Sequence, residues 1–463
     1  MYDNLIFIKF FFVIFSTLIL LVPLVIRINK VSKIDLIDPI YIFLTGFYFY
    51  LVLGQLEIVN FYYLKELKII SNETRIIAMK YVMIAATIFV YLDYIFYKKN
   101  ISIHRLDNFS FNLNTKSSMI FVFILIITGI TFFILNLDRF GGVFEYLNFT
   151  ITKGKRDEIM RGLGNYPFDL LIYMSFSSLV FIINFFKKNI YISIVISILV
   201  FSPYFFFKII LFDRSSILKF ILFILFIIFL EKKIKINLRL NKKNFFLFFM
   251  FLFFVISFLQ LGEIRSSLNL MIKNKNFTIS NLIKNYQKRS SKLYLREFTN
   301  TNYGFLYLIE NNLSLSNNSN SYLHIIYSAV PRSILKKFKN IKEEDPIDSL
   351  ISNNLSNFYF SDYLNRDNKI SITNHPLTEA YYNFRQVSPF IAGLLFFLIY
   401  RIIFYLINHK DYFISRSSIT IYPYLFLFWR SQLSGFVSYL FYVFIFYFLL
   451  MFIIGKLKFI NDK

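Results

Sequence analysis

Residues 374–389 combine polar side chains with helical spacing between two prolines, and Thr378 stands at the expected N-cap. A helix beginning there would carry four polar side chains on one face, at positions i, i+3, i+4 and i+7. These residues are Glu379, Tyr382, Asn383 and Gln386. Carboxylates and amides form hydrogen bonds with hydroxyl groups, and a tyrosine ring can cover the apolar face of a sugar. The stripe therefore predicts sugar binding, with an amphipathic helix that has a solvated polar side as the alternative.

Residues 330–339 place Arg332, Lys336 and Lys339 at i, i+4 and i+7. Such a face can grip phosphate, since arginine binds it through a bidentate fork and lysine as a point charge. A contact with anionic lipid headgroups or a solvated face is the alternative.

Further arginines fall in segments that share one side of the membrane in the topology derived below. They are Arg156, Arg161, Arg214, Arg265 and Arg430. Charges at or within a span are costly and are often functional. For Arg214 the alternative is that it pairs with Asp213 and snorkels to the membrane surface. That alternative accounts for Arg214 and does not explain why the other four arginines share its side of the membrane.

Other kinds of chemistry find no support in the sequence. It contains no Walker loop, dinucleotide fingerprint, HExxH or GxSxG motif. The chain has 0 cysteines, which excludes a thiol mechanism, and its 4 histidines argue against a histidine-rich metal site. We therefore expect neither a metal nor a cofactor.

The amino-acid composition indicates which secondary-structure elements position these residues. Of the 463 residues, 57% are hydrophobic and 21% aromatic, which is too apolar for a surface that faces water. The net charge of +24 lies in short clusters between apolar runs, a pattern that argues against a nucleic-acid partner. We predict an all-α, polytopic bundle of about eleven transmembrane helices.

The spans are predicted from apolar runs long enough to cross the bilayer. They lie near 5–26, 38–60, 76–97, 118–137, 167–186, 190–207, 209–230, 244–261, 389–408, 418–435 and 436–455. The first run is too long for a signal-peptide core and lacks a small-residue cleavage site before Arg27, so we expect a retained span.

Alternate loops are rich in lysine and arginine, which favours the cytoplasm for those loops and for the C-terminus. Among these basic residues are Arg27, Lys30, Lys33, Lys98, Lys99, Lys187, Lys188, Lys232, Lys235, Lys410 and Lys456. The N-terminus and the segments 138–166, 208–214 and 262–388 then lie outside. If Gln55 and Glu57 mark a re-entrant second segment, the N-terminus moves to the cytoplasm.

Three regions result. Residues 1–261 form the first eight spans, 262–388 a large, mainly helical extracytoplasmic loop, and 389–463 the last three spans. Within the loop, Ser280 can cap a helix that runs to about Phe298, and Asp345 with Pro346 can begin another.

This organisation resembles the bacterial O-antigen polymerases, the Wzy-type oligosaccharide repeat-unit polymerases. VPRSILKKFK, 330–339, is similar to the Pro-Arg motif of that family, and TEAYYNF, 378–384, to its Glu-x-Tyr-x-Asn-Phe stretch. The family pattern has glycine after Asn-Phe, where this chain has Arg385, and Lys-Pro after Pro-Arg, where it has Lys336-Lys337-Phe338.

The resemblance implies that oligosaccharide repeat units linked to undecaprenyl diphosphate are joined into O-antigen or capsule at the outer face of the bacterial inner membrane. Glu379 would be the base or would orient the acceptor, and Arg332 and Arg214 would clamp the diphosphate without a metal. Supporting or substrate-binding roles would fall to Arg156, Arg161, Arg265, Lys336, Tyr382, Asn383 and Gln386. The implied partners are the lipid-linked oligosaccharide, the bilayer and a chain-length regulator.

Three other functions stay open. A flippase for the same lipid needs a cationic site, although flippases keep their loops short. An O-antigen ligase shares the leaving group with a polymerase. A receptor or scaffold has no specific support in the chain.

Overall fold

In the computed structural model the described residues are 2–31, 33–35, 38–56, 70–98, 115–138, 141–142, 144–145, 166–210, 214–232, 235–237, 296–313, 322, 375–408, 418–429, 433, 436–437 and 440. This part of the chain is helical apart from one pair of three-residue strands. Within a bilayer, backbone polar groups must be satisfied inside the structure, and a helix does this locally.

The first half of the chain contains α1 (Tyr2–Val31), α2 (Ile40–Phe47), α3 (Asn72–Lys98), α4 (Thr115–Asp138), α5 (Tyr166–Lys187), α6 (Ile190–Ile210) and α7 (Arg214–Lys232). A π-helical turn (Tyr48–Val52) and a 3₁₀ turn (Leu53–Leu56) continue α2. The second half contains α8 (Arg296–Glu310), α9 (Pro376–Phe384), a 3₁₀ turn (Arg385–Val387), α10 (Ser388–Ile407), another 3₁₀ turn (Ile419–Ile421) and α11 (Tyr422–Phe428). Strand β1 (Lys33–Asp35) pairs antiparallel with β2 (Lys235–Asn237).

Three described helical segments are long and apolar enough to cross a membrane: Leu5–Arg27, Asn72–Tyr97 and Pro376–Ile407. Shorter apolar segments are Ile40–Leu56, Phe123–Leu135, Leu171–Asn184, Ile190–Phe206 and Lys219–Ile228. The chain is therefore helical and suited to a membrane, and the count of about eleven spans stays a prediction. The predicted span 244–261 and most of 436–455 lie outside the described residues.

One end of the bundle is organised by Arg27. Its guanidinium donates to Asp93 of α3, to Asp38 before α2 and to the hydroxyl of Tyr400 in α10. Arg27 lies inside α1 and is 4% exposed, so its prediction as a loop residue is wrong. The C-terminal ends of α1, α3 and α10 therefore meet on one side.

Contacts at the opposite end involve α8. Its last residue, Glu310, accepts hydrogen bonds from the backbone N–H and the hydroxyl of Ser71, just before α3, at 3.1 and 2.8 Å. Lys9 near the start of α1 donates to the carbonyl of Leu56 at 3.2 Å. The segment from Asp38 to Leu56 therefore runs antiparallel to α1, along about 27 Å of it at 1.5 Å per residue.

The main core is centred on Trp429, which is fully buried among α2, α10 and α11. Its ring centroid lies 4.7 Å from those of Phe43 and Phe396, and its Nε1–H donates to the carbonyl of Phe43 at 2.9 Å. Gly46 makes room for this ring, because a Cβ there would lie 2.8 Å from Nε1 of the indole. A second aromatic core joins α5, α6 and α7.

Candidate functional site

The polar motif at 378–384 folds as the short helix α9, which leads through a turn into α10. His375 is its N-cap: Nδ1 accepts a hydrogen bond from the backbone N–H of Thr378 at 3.1 Å. The prediction of Thr378 as N-cap is therefore wrong, because Pro376 occupies the first helical turn and moves the cap to His375. The candidate span that contains α9 begins at Pro376 rather than at the predicted 389.

Glu379 lies inside the protein rather than on a solvated stripe. Its side chain is 0% exposed, and Oε2 accepts a hydrogen bond from the backbone N–H of Leu433 at 2.6 Å. A buried carboxylate is costly unless neighbouring groups stabilise it, so such a residue in a membrane protein is a functional candidate by default.

Tyr322, from the predicted large loop, lies close to this carboxylate. Burial and the charge of Glu379 both raise the pKa of the Tyr322 phenol above its ordinary value. Its ring centroid is 5.5 Å from that of Phe384 at the end of α9. The loop residue thus brings a phenol into the electrostatic field of this carboxylate.

Of the other predicted stripe residues, Tyr382 and Asn383 follow Glu379 at i+3 and i+4 within α9, whereas Gln386 lies beyond the helix. Tyr382 is 2% exposed, while Asn383 is half-buried and its Nδ2 donates to the backbone carbonyl of Glu379 at 2.7 Å. Gln386 is exposed in the 3₁₀ turn, beyond the end of α9. The predicted i+7 spacing is wrong there because the helix ends at Arg385, whose φ is +48°.

The predicted cations lie outside the described residues or have side chains outside them. Arg214 is the first residue of α7, and its side chain lies outside the described part of the structure. Also outside the described residues are Arg156, Arg161, Arg265, Arg332, Lys336, Lys339 and Arg430. Their roles stay predictions.

A buried polar network that the sequence analysis missed holds α9 to α8. Oδ1 of Asn302 accepts from Nε2 of Gln55 at 2.7 Å and lies 3.1 Å from Nε2 of His375, while its Nδ2 donates to the carbonyl of Tyr50. Because Nδ1 of His375 accepts from Thr378, the neutral ring carries its proton on Nε2 and donates to Asn302. Burial lowers the pKa of His375 to about 3, so the ring is neutral at pH 7.

Helix α8 was not predicted as such. Most of the predicted helix from Ser280 to about Phe298 lies outside the described residues, and only its last three positions, 296–298, fall within α8. From there α8 runs to Glu310 and buries Phe305, Leu306 and Leu308. The residues from Thr301 onward pack against α3, α9 and the segment that ends at Leu56. This tertiary packing stabilises a helix that local spacing alone does not predict. The predicted helix start at Asp345 lies outside the described residues.

The Arg27 cluster was also missed. Asp93 inside the predicted span 76–97 was an available signal, because an acidic residue within a span needs a partner. Arg27, at the end of the predicted span 5–26, is a candidate for that partner. Gln55 was noted only as a sign of a re-entrant segment, and no local pattern linked it to Asn302.

Comparison with known proteins adds no relative: no family model, curated protein or solved structure matches this chain.

Proposed function

We propose that this protein is a membrane-embedded transferase that polymerises oligosaccharide repeat units linked to undecaprenyl diphosphate. The observation that carries the proposal is the burial of Glu379 on the short helix that begins a candidate span. Burying a carboxylate costs desolvation free energy, and ionisable residues retained in membrane-spanning segments are commonly functional. The likeness of TEAYYNF to the polymerase motif points to glycan transfer.

The reaction breaks the bond between C1 of the donor glycan and the oxygen of its diphosphate. A hydroxyl oxygen of the acceptor sugar forms the new bond to C1, the hydroxyl proton goes to a base, and undecaprenyl diphosphate leaves with the bonding electron pair. Glu379 is the proposed base or acceptor-orienting carboxylate, and Tyr322 adds a phenol beside it.

The leaving diphosphate needs positive charge close to it. Arg332 and Arg214 are the proposed clamp, with Arg156, Arg161, Arg265 and Lys336 in support. Tyr382 and Asn383 are proposed to shape the sugar site from α9, and Gln386 to contact substrate from the exposed turn.

The proposal includes the large loop on the outer side and the lysine-rich loops in the cytoplasm. Two contacts support this arrangement. Pairing of β1 with β2 puts the segments that follow α1 and α7 together, and both are rich in lysine. Helix α8, from the large loop, packs at the end of α3 and against the turn at Gln55, both away from the Arg27 cluster.

A genetic test separates the proposal from its alternatives. The gene is deleted in its host and replaced by Glu379→Gln, a variant that keeps an oxygen acceptor for the Leu433 N–H. Loss of long polysaccharide, with single repeat units on the outer face and normal protein levels, is the expected result. The matched control is Glu73→Gln, which changes an exposed carboxylate in the first turn of α3.

Other outcomes point elsewhere. Repeat units that accumulate inside the cell would favour a flippase, and long glycan that is made but not attached would favour a ligase. Normal chain length in Glu379→Gln would remove this residue from the mechanism.

A further inference from the structure

Arg385 adopts a backbone conformation that arginine rarely takes. Its φ of +48° and ψ of −118° correspond to the first central position of a type II′ turn, which glycine favours. At this position the polymerase pattern described above has glycine. An arginine held there costs free energy, and an outlier of this kind is a reason to look for a function.

The surroundings of Arg385 combine an exposed turn with an exposed apolar stripe. Arg385 and Gln386 are exposed. Beyond them, large apolar side chains follow at intervals of three or four residues, beginning at the end of the turn and continuing along α10, all 43–57% exposed: Val387, Phe390, Leu394, Leu398 and Ile402. In a membrane-spanning helix such a stripe faces acyl or isoprenoid chains. Arg385 stands at the N-terminal end of this stripe, where a lipid lying along the stripe in the proposed topology would carry its headgroup.

We propose that Arg385 binds the diphosphate of the lipid-linked substrate, whose isoprenoid chain lies along this stripe. A guanidinium offers a planar fork of N–H donors that matches phosphate oxygens, and the apolar stripe complements a long hydrocarbon chain. The inference rests on the proposed function for the identity of the lipid. It adds an anion-binding side chain at a position where the polymerase pattern has glycine, which has no side chain that could bind an anion.

Arg385 lies at the C-terminal end of α9, the helix that carries the proposed base Glu379. The backbone N–H of Arg385 donates to the carbonyl of Tyr381, so Arg385 closes the helix that carries Glu379. A diphosphate held at Arg385 would therefore lie at the end of the helix that supplies the carboxylate.

The test measures lipid binding by the full chain in phosphatidylcholine nanodiscs. The probes are undecaprenyl diphosphate, undecaprenyl monophosphate and phosphatidylglycerol. The variants are Arg385→Gly, which suits the backbone and should fold, and Arg385→Lys, which keeps the charge without the fork. Arg401→Gln is the matched control, since it removes an arginine near the other end of α10, where Arg401 faces the rings of Phe96 and Phe404.

We expect Arg385→Gly to weaken binding of undecaprenyl diphosphate by about tenfold or more, as for the loss of one charge-assisted contact. Arg385→Lys should recover part of the affinity, and Arg401→Gln should bind like the wild type. Equal affinity of wild type and Arg385→Gly overturns the inference, and so does a wild type that binds phosphatidylglycerol as tightly as the diphosphate. If the binding change occurs while Glu379→Gln polymerises normally, the proposed mechanism fails and the lipid site stands.

Discussion

Arg27 and Asp93, 66 positions apart in the chain, form a two-point ion pair in which Nη1 and Nη2 donate to the two carboxylate oxygens at 2.7 and 3.0 Å. The remaining N–H groups of the guanidinium donate to Asp38 at 2.8 Å, to the hydroxyl of Tyr400 at 2.7 Å and to the carbonyl of Pro23 at 3.2 Å. Every donor of this arginine is thereby satisfied. The pair joins α1 to α3, and both residues are buried, so water does not readily replace a lost partner.

Replacing Asp93 with leucine should destabilise the protein strongly, because it leaves the buried charge of Arg27 with only one carboxylate. We expect a loss of about 3–5 kcal/mol in the free energy of unfolding, the range for breaking a buried ion pair. Denaturant unfolding in detergent measures it. Asp138→Leu, at the exposed end of α4, is the control.

A second variant tests the coupling in the same pair. Arg27→Met combined with Asp93→Leu should recover part of the loss, because no unpaired cation is then buried. An Asp93→Leu protein as stable as the wild type would show that the pair does not hold the helices together.

Asn302→Leu should loosen the attachment of α8 to α9. The change keeps the side-chain size but removes the partner of Gln55, His375 and the carbonyl of Tyr50, all within the buried network. Buried polar groups that lose a partner cost about 1–3 kcal/mol each, so for three groups we expect a loss of at least about 3 kcal/mol. Thermal unfolding in detergent should show it, whereas Asn311→Leu at the exposed end of the same helix should stay near the wild type. Similar melting of all three proteins would contradict the role of the network.

His375 should make stability depend on pH. Its pKa is lowered to about 3 in the folded protein, because burial disfavours the charged ring, whereas an unfolded histidine titrates near 6.5. The unfolded state therefore takes up a proton first, and stability that is present above pH 6.5 is lost as the pH falls towards 3. The slope is about 1.4 kcal/mol per pH unit within that window.

The measurement compares wild type with His375→Asn between pH 7.5 and 5. Asparagine keeps an N-cap oxygen for the Thr378 N–H and has no titrating ring, so the part of the slope due to this residue should disappear. The other histidines are common to both proteins and cancel in the comparison. Parallel stability curves would mean that His375 is not the group responsible.

Gly393→Leu should force α3 and α10 apart. A Cβ at this position would lie 2.8 Å from the carbonyl oxygen of Ala85 and 2.8 Å from the Cβ of Ile88. Small residues allow helices to approach closely in membranes, and overpacking such a contact costs about 1–3 kcal/mol. The thermal midpoint in detergent should fall, while Leu394→Phe on the exposed face of α10 should leave it unchanged. An unchanged midpoint in Gly393→Leu would show that the crossing can widen freely.

The sequence was sufficient for the features that depend on neighbouring residues. Long apolar runs predicted the helices at 5–26, 76–97 and 118–137, and these lie within α1, α3 and α4. Such predictions succeed because hydropathy and helix length are local properties of the chain. The same local reasoning misplaced the cap of α9 at Thr378 and continued its helix to Gln386.

The sequence by itself determined that this chain is helical and suited to a membrane, since apolar runs of about 20 residues have the length and composition of helices that satisfy their own backbone in a bilayer. Only the tertiary structure decided that Arg27 is buried against Asp93, that Asn302 joins Gln55 to His375, and that Glu379 faces the interior. These outcomes depend on which distant segments pack together, and helical periodicity carries no information about the partner that a polar face meets.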